Sequence, residues 1–224
     1  MFAFIDVFFG FWFSLPRGFL YLEVFSIYIP FMYSLCIGDA MGIDIVNIVA
    51  STHLHRELDL ELLSLALREI GTVIYDKERF PGLILKTSDR VSYLVFRTGK
   101  IVVVGCKSEE HIEKAIKMLI KQISKVFGDI PSSLSVKIQN IVATADLGYE
   151  IDLETLSERL EHSVYIPDEF PGLVYRAGAG KPSVLIFSSG RIVITGATSV
   201  EDIDAIVNEI RRITAPLTVD GSEA

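Results

Sequence analysis

Almost everything between Ile45 and Ile213 is written twice. Asn47-Ile48-Val49-Ala50 returns as Asn140-Ile141-Val142-Ala143, and Asp59-Leu60-Glu61 as Asp152-Leu153-Glu154, both at an offset of 93. Phe80-Pro81-Gly82-Leu83 returns as Phe170-Pro171-Gly172-Leu173 at 90, and Phe96, Gly99, Ile101, Val102 and Gly105 return as Phe187, Gly190, Ile192, Val193 and Gly196 at 91. A drifting offset means short insertions between fixed elements. Solenoid repeats run to about 50 residues at most, so this longer period marks a duplicated half-domain. The first repeat covers residues 41–133 and the second 134–216, followed by a tail, 217–224.

Each copy opens on a β-branched strand, Ile45–Thr52 or Lys137–Ala145. Asp59 or Asp152 is then placed to cap a helix whose leucines share one face. Strands follow in the first copy at Thr72–Tyr75, from the Phe-Pro-Gly-Leu motif to Lys86, at Ser92–Phe96 and at Lys100–Gly105, with Arg97-Thr98-Gly99 suited to a hairpin turn. A long helix closes the unit, its stripe made by Ile112, Ala115, Ile116, Leu119 and Ile123, or by Ile203, Ile206, Val207, Ile210 and Ile213. Two such units predict an α+β fold: one curved antiparallel β-sheet with helices on a single face. Proline removes a ladder donor, so the Phe-Pro-Gly-Leu strand is expected at a sheet edge, its Phe presented on a corner.

Alternation along the strands separates two faces. Tyr93, Val95, Ile101 and Val103 fall on one side; Leu94, Phe96, Val102 and Val104 fall on the other, with Asn47, Val49 and Ser51 from the first strand. In the second copy Val184, Ile186, Ile192 and Ile194 oppose Leu185, Phe187, Val193 and Thr195. Both faces are apolar, yet helices can cover only one, so the second is expected to be left uncovered. It bears one amide per copy, Asn47 and Asn140. The DNA minor groove suits such a face: in A·T sequence its floor offers only acceptors, which amide donors flanked by Val and Thr can meet. Lys86, Lys100, Arg176 and Arg191 then sit toward the rim, where phosphates pass. Burial by a partner subunit or by the N-terminal tail is the competing reading.

The net charge of −8 argues against a polyanionic partner unless apolar burial supplies most of the affinity and the acids lie elsewhere. Two cysteines, Cys36 and Cys106, make neither a disulfide framework nor a structural zinc site, and the chain reads as cytoplasmic. Gly178-Ala179-Gly180-Lys181 fails the phosphate-loop pattern because Tyr175 stands where glycine is required and Pro182 follows the lysine. His53 and His55 beside Glu57 read as strand-end residues rather than metal ligands. No nucleophile–base or paired-carboxylate arrangement stands out, so no enzyme activity and no cofactor are expected.

Residues 1–40 form a hydrophobic N-terminal extension holding Trp12 and nine of the fourteen phenylalanines. Its longest charge-free run, Val24–Gly38, is fifteen residues with Pro30 inside, short of the roughly 20 a spanning helix needs. The preferred reading starts the protein proper at Met41 and treats residues 1–40 as upstream sequence. A membrane-associating tail and a segment packed on the domain are the alternatives.

These doubled motifs, with Tyr175-Arg176, Leu185–Ala197 and Lys137–Ala143, closely resemble the TATA-box-binding family of general transcription initiation factors, and the acidic balance resembles its archaeal branch. The resemblance covers about Ile43 to Ile213. It implies a pseudo-symmetric saddle with helices on the convex face. It also implies that, as in this family, Phe80 with Phe96 and Phe170 with Phe187 wedge between base steps at the two ends of one site. Asn47 and Asn140 would sit over the central steps, with Val49, Val142, Leu94, Leu185, Val102 and Val193 along the groove floor. Thr98, Ser189, Lys86, Arg176, Lys100 and Arg191 would lie near sugar and phosphate. Val104 departs from the family's usual Thr, which Thr195 keeps in the second copy. The implied partners are A·T-rich promoter double-stranded DNA, the archaeal counterpart of general transcription factor B at Asp168 and Glu169, and RNA polymerase through that factor. Lys114, Lys117 and Lys121, with Lys125, form an outer helix face for regulators, and a homodimer of the DNA-free protein is a further expectation.

Overall fold

The computed structural model describes residues 42–128, 130, 134–176, 178 and 181–215; the expectations for residues 1–40 and 217–224 lie outside them. The chain forms two compact units, one over Val46–Asn140 and one over residues from Ile141 onward. The first copy contributes β1 (Ile43–His53), α1 (Leu60–Leu67), β2 (Thr72–Ile74), β3 (Gly82–Lys86), β4 (Ser92–Phe96), β5 (Lys100–Cys106) and α2 (Glu109–Phe127). Its strands pair antiparallel in the order β2-β3-β4-β5-β1. The second copy contributes β6 (Lys137–Asp146), α3 (Leu153–Arg159), β7 (Ser163–Val164), β8 (Gly172–Arg176), β9 (Ser183–Phe187), β10 (Arg191–Ala197) and α4 (Val200–Thr214). Their antiparallel order, β6-β10-β9-β8-β7, is the same path repeated. The fold class is α+β.

Local chemistry explains where the helices start. Asp59 accepts from the amides of Glu61 and Leu62, and Asp152 from those of Glu154 and Thr155, closing otherwise orphaned first-turn donors. Ser108 caps α2 by accepting from the His111 amide, and Ser199 with Asp202 forms a reciprocal capping box on α4. The β4–β5 and β9–β10 turns end on Gly99 and Gly190, whose φ values of 86° and 83° suit glycine. Each glycine amide closes its turn on a phenylalanine carbonyl, Phe96 or Phe187.

The helices cover one face. Leu83, Leu85, Tyr93, Val95, Ile101 and Val103 on that side are fully buried, as are Leu173, Val184, Ile186, Ile192 and Ile194. Within the first unit α2 packs on β5 and α1 on β2 and β3; in the second, α4 packs on β10 and α3 on β8. Tyr93 sends its hydroxyl to the Ala115 carbonyl, and burial pushes that phenol well above its ordinary range. At about 25 cal/mol per Å², each such leucine or valine contributes roughly 1.5–3 kcal/mol by leaving water.

The edge position expected for the Phe-Pro-Gly-Leu strand is wrong. β3 lies between β2 and β4, and β8 between β7 and β9. Pro81 and Pro171 stand immediately before the first paired residue, so their missing N–H groups cost no ladder bond. At that end of each copy's order the outer strand is instead the short β2 or β7, a common way to blunt an exposed strand. Among the described residues, no helix is long and apolar enough to cross a membrane.

Candidate nucleic-acid interface

Register places the second face row by row. In the first copy one row runs Lys86, Ser92, Val104, Val49, and the next Ile84, Leu94, Val102, Ser51. In the second copy the corresponding rows are Arg176, Ser183, Thr195, Val142 and Val174, Leu185, Val193, Thr144. Every position has a counterpart of similar size, and all but one of similar polarity. The departure noted in sequence, Val104 against Thr195, sits in equivalent places and removes one hydroxyl. Ile84 and Val174 also stand in these rows, and the motif reading missed them. Their signal was available: they alternate in step with Lys86 and Arg176.

At one end of each set of rows stands an aromatic pair. Phe80 and Phe96 meet edge to face with ring centroids 5.6 Å apart, and Phe170 and Phe187 at 5.8 Å. The glycine of each repeated motif explains the arrangement. A Cβ on Gly82 would lie 2.8 Å from the Phe80 ring and 3.2 Å from that of Phe96. On Gly172 it would lie 2.6 Å from Phe170 and 3.1 Å from Phe187. The aromatic rings lie over a backbone position that only glycine leaves open. Phe96, Phe170 and Phe187 are half-buried and Phe80 is 9% exposed, so each ring keeps some surface for a ligand.

Asn47 lies where β1 is bulged against β5, between Ile48 and Val49. Its Oδ1 accepts from the Gly105 amide at 2.8 Å, which fixes the carboxamide orientation. With Oδ1 turned to the backbone, the donor end of the carboxamide is the Nδ2 group, the polarity that would suit an acceptor-only groove floor. Asn140 is half-buried at the equivalent place in β6. Thr98 and Ser189 are exposed on the turns; Lys100 and Arg176 are exposed, and Lys86 and Arg191 half-buried.

The face is less open than its sequence suggests. Leu185 is 1% exposed and Val142 2%, while Asn47, Val49, Leu94, Val193 and Thr195 are also buried. Side chains facing each other across neighbouring strands stand about 4.5–5.5 Å apart and shield one another, which contributes to this burial. Ile84, Val102, Val104 and Val174 are half-buried and, with the phenylalanines, offer a ligand most new apolar contact. The first copy is the more open: Val102 and Val104 are half-buried where Val193 and Thr195 are buried.

The residues expected to meet proteins lie outside these rows. Asp168 and Glu169 are exposed in the turn before Phe170, whose amide closes that turn on the Ile166 carbonyl. Lys114 and Lys117 are exposed on α2 in ion pairs with Glu110 and Glu113, and Lys121 is exposed one turn further on. His53 and His55 stack with ring centroids 4.6 Å apart, and the His55 amide donates to His53 Nδ1. Among the described residues no cluster of three or more His, Cys, Asp or Glu is arranged to hold a metal ion.

Comparison with known proteins places this geometry. The family described as "Transcription factor TFIID (or TATA-binding protein, TBP)" matches residues 42–126 and 135–216. The TATA-box-binding protein of Pyrobaculum aerophilum is 44% identical over 167 residues, 74% of this chain and 82% of that protein. That of Methanocaldococcus jannaschii is 43% identical over 169 residues, 75% of this chain and 91% of that one. The solved Methanococcus jannaschii TBP superposes with a TM-score of 0.72 at 41% identity, covering 78% of this chain and 99% of that chain. With both repeats matched and four-tenths of the residues identical to archaeal members, the chain belongs to the TATA-binding protein family.

Proposed function

We propose that this chain is a general transcription factor that binds A·T-rich promoter DNA in the minor groove, kinks it and starts assembly of the transcription complex. It is a DNA-binding protein and not an enzyme. The observation that carries the reading is the doubled row pattern: an amide, a band of Val, Leu and Ser or Thr, a rim cation and a terminal phenylalanine pair in each copy, with the first copy's amide oriented by the Gly105 N–H. Each element has its task. The amides and short apolar side chains meet a groove floor without donors. The phenylalanines enter base steps, as members of this family do, and unstacking is offset by the extra surface a bent duplex brings into contact. Lys86, Lys100, Arg176 and Arg191 neutralise phosphates and set register without reading sequence.

The acidic balance of the chain is compatible with this use. Much of the negative charge sits on helices, as at Glu109, Glu110 and Glu113, away from the rows. Affinity then rests on apolar burial and bending, with a modest salt response from a few phosphate contacts. Asp168 and Glu169 form an exposed acidic step that suits a basic surface on the archaeal counterpart of general transcription factor B, which recruits RNA polymerase. Lys114, Lys117 and Lys121 offer α2 to regulators. The DNA-free protein pairs two copies through the same apolar faces.

The test is fluorescence energy transfer between the ends of an A·T-rich promoter duplex, titrated with the full chain. Binding with shortening of the end-to-end distance supports the reading. Binding without a change in distance, or no preference over a G·C-rich duplex, removes it.

A further inference from the structure

The two copies differ where their rows meet phosphate. At the end of the first copy's face Lys100 pairs in register with His53. At the equivalent place in the second copy Arg191 pairs with Asp146, and the two form an ion pair, Nε to Oδ2 at 3.7 Å. Asp146 is held in place by a second contact, since its Oδ1 accepts from the Gly148 amide at 2.9 Å. Both side chains are about one-third exposed or less, so the pair is partly shielded from solvent. Asp146 alternates in step with Val142 and Thr144, on the same face as the rows described above. A carboxylate thus stands on a surface meant for a polyanion, beside the cation that should neutralise it.

We propose that Asp146 is an electrostatic brake on DNA binding: by pairing with Arg191 it occupies the cation that a phosphate would take, so the second copy grips the backbone less than the first. This rests on the DNA-binding reading above. When a phosphate arrives, Arg191 must share or exchange its partner, and Asp146 then faces the phosphate as a like charge. The first copy carries no acid at this place; Lys100 stands beside an imidazole. Duplicated rows therefore end in unlike charge, which biases a near-symmetric protein toward one orientation on a near-symmetric site.

The experiment compares full-length protein with D146N, R191Q, D146N/R191Q and K100Q by titrating one A·T-rich duplex over a range of salt. Asparagine keeps the Oδ1 acceptor for the Gly148 amide, so D146N leaves that turn bonded. D146N is expected to bind about three- to ten-fold tighter at ~0.1 M salt, with a salt slope steeper by up to about 0.9, the value of one phosphate contact. R191Q should weaken the parent less than K100Q does, and should abolish the gain in the D146N background. H53D, which writes the second copy's acid into the first, should weaken binding. Binding unchanged or weakened by D146N overturns the proposal and makes Asp146 a positioning group for Arg191. Loss of all A·T-selective binding in the parent protein instead overturns the DNA reading itself.

Discussion

Replacing Gly172 by alanine should uncouple DNA bending from folding. The added Cβ would lie 2.6 Å from the Phe170 ring, 3.1 Å from the Phe187 ring and 3.3 Å from the Ile186 carbonyl. Ordinary contact begins at 3.4 Å, so the Phe170 ring must retreat by about 0.8 Å, the difference between 3.4 and 2.6. The Ile186 carbonyl belongs to the ladder and has only about 0.1 Å to yield, so the ring moves. Overpacking a tight core costs about 1–3 kcal/mol. Here the displaced ring is half-buried and can move outward, which puts the stability loss near the lower end. The edge-to-face contact with Phe187 is lost with it, worth about 0.5–1.5 kcal/mol. On the proposed function the larger consequence falls on DNA binding, because Phe170 would no longer stand where it is proposed to enter a base step. Affinity for an A·T-rich duplex should fall by about 1–3 kcal/mol, roughly five- to 150-fold, with a visibly smaller bend by end-to-end energy transfer. The far-ultraviolet spectrum should match the parent's, and thermal unfolding should stay cooperative with a midpoint lower by only several degrees. A G172A protein that folds, binds and bends as the parent does would refute the claim that this glycine serves the phenylalanine pair.

Other expectations follow from single contacts. N47A leaves the Gly105 amide without its 2.8 Å acceptor and should lower stability by about 1–3 kcal/mol in denaturant titration. N47D restores an acceptor but turns a donor into a negative charge, so it should fold better than N47A and bind DNA worse. The carboxyls of Asp152 and Asp202 are held below the ordinary carboxylate range, the first chiefly by the Thr155 hydroxyl and the second by the Thr198 amide. Because folding favours their ionised forms, their stabilisation is complete above the unfolded value of about 3.9 and disappears as pH falls through the folded values. D152N and D202N should therefore flatten the acid limb of a stability–pH curve below about pH 5 and lower stability at pH 7. Burial pushes the Cys106 thiol up to about 11, so peptide mapping after maleimide treatment at pH 7 should find Cys106 unlabelled in folded protein and labelled in denatured protein.

Much of the architecture was legible because the chain states it twice. Strand alternation separated Tyr93, Val95, Ile101 and Val103 from Leu94, Phe96, Val102 and Val104, and the first set is fully buried under the helices. Asp59 and Asp152 announced their caps by type and spacing. What failed needed information that lies between strands. Proline in the Phe-Pro-Gly-Leu motif reads as an edge signal, yet a proline one residue ahead of the ladder costs nothing, and only pairing reveals that β2 and β7 lie outside. The burial of Leu185 and Val142 could not be read from alternation, which reports which face a side chain is on and not how crowded that face is. The Asp146–Arg191 pair joins residues 45 positions apart, and only register brings the two together. Its counterpart, His53 with Lys100, looks in sequence like a strand end beside a turn.

The reading that this face enters the minor groove is tested most directly by replacing every A·T pair of a bound site with inosine·cytosine. Inosine lacks the exocyclic amine of guanine, so the minor groove keeps an acceptor-only floor while the major groove takes on the G·C pattern. Binding and bending within a few-fold of the A·T duplex are predicted; loss of binding to background would show that the rows of Val, Leu and Asn do not read the minor groove.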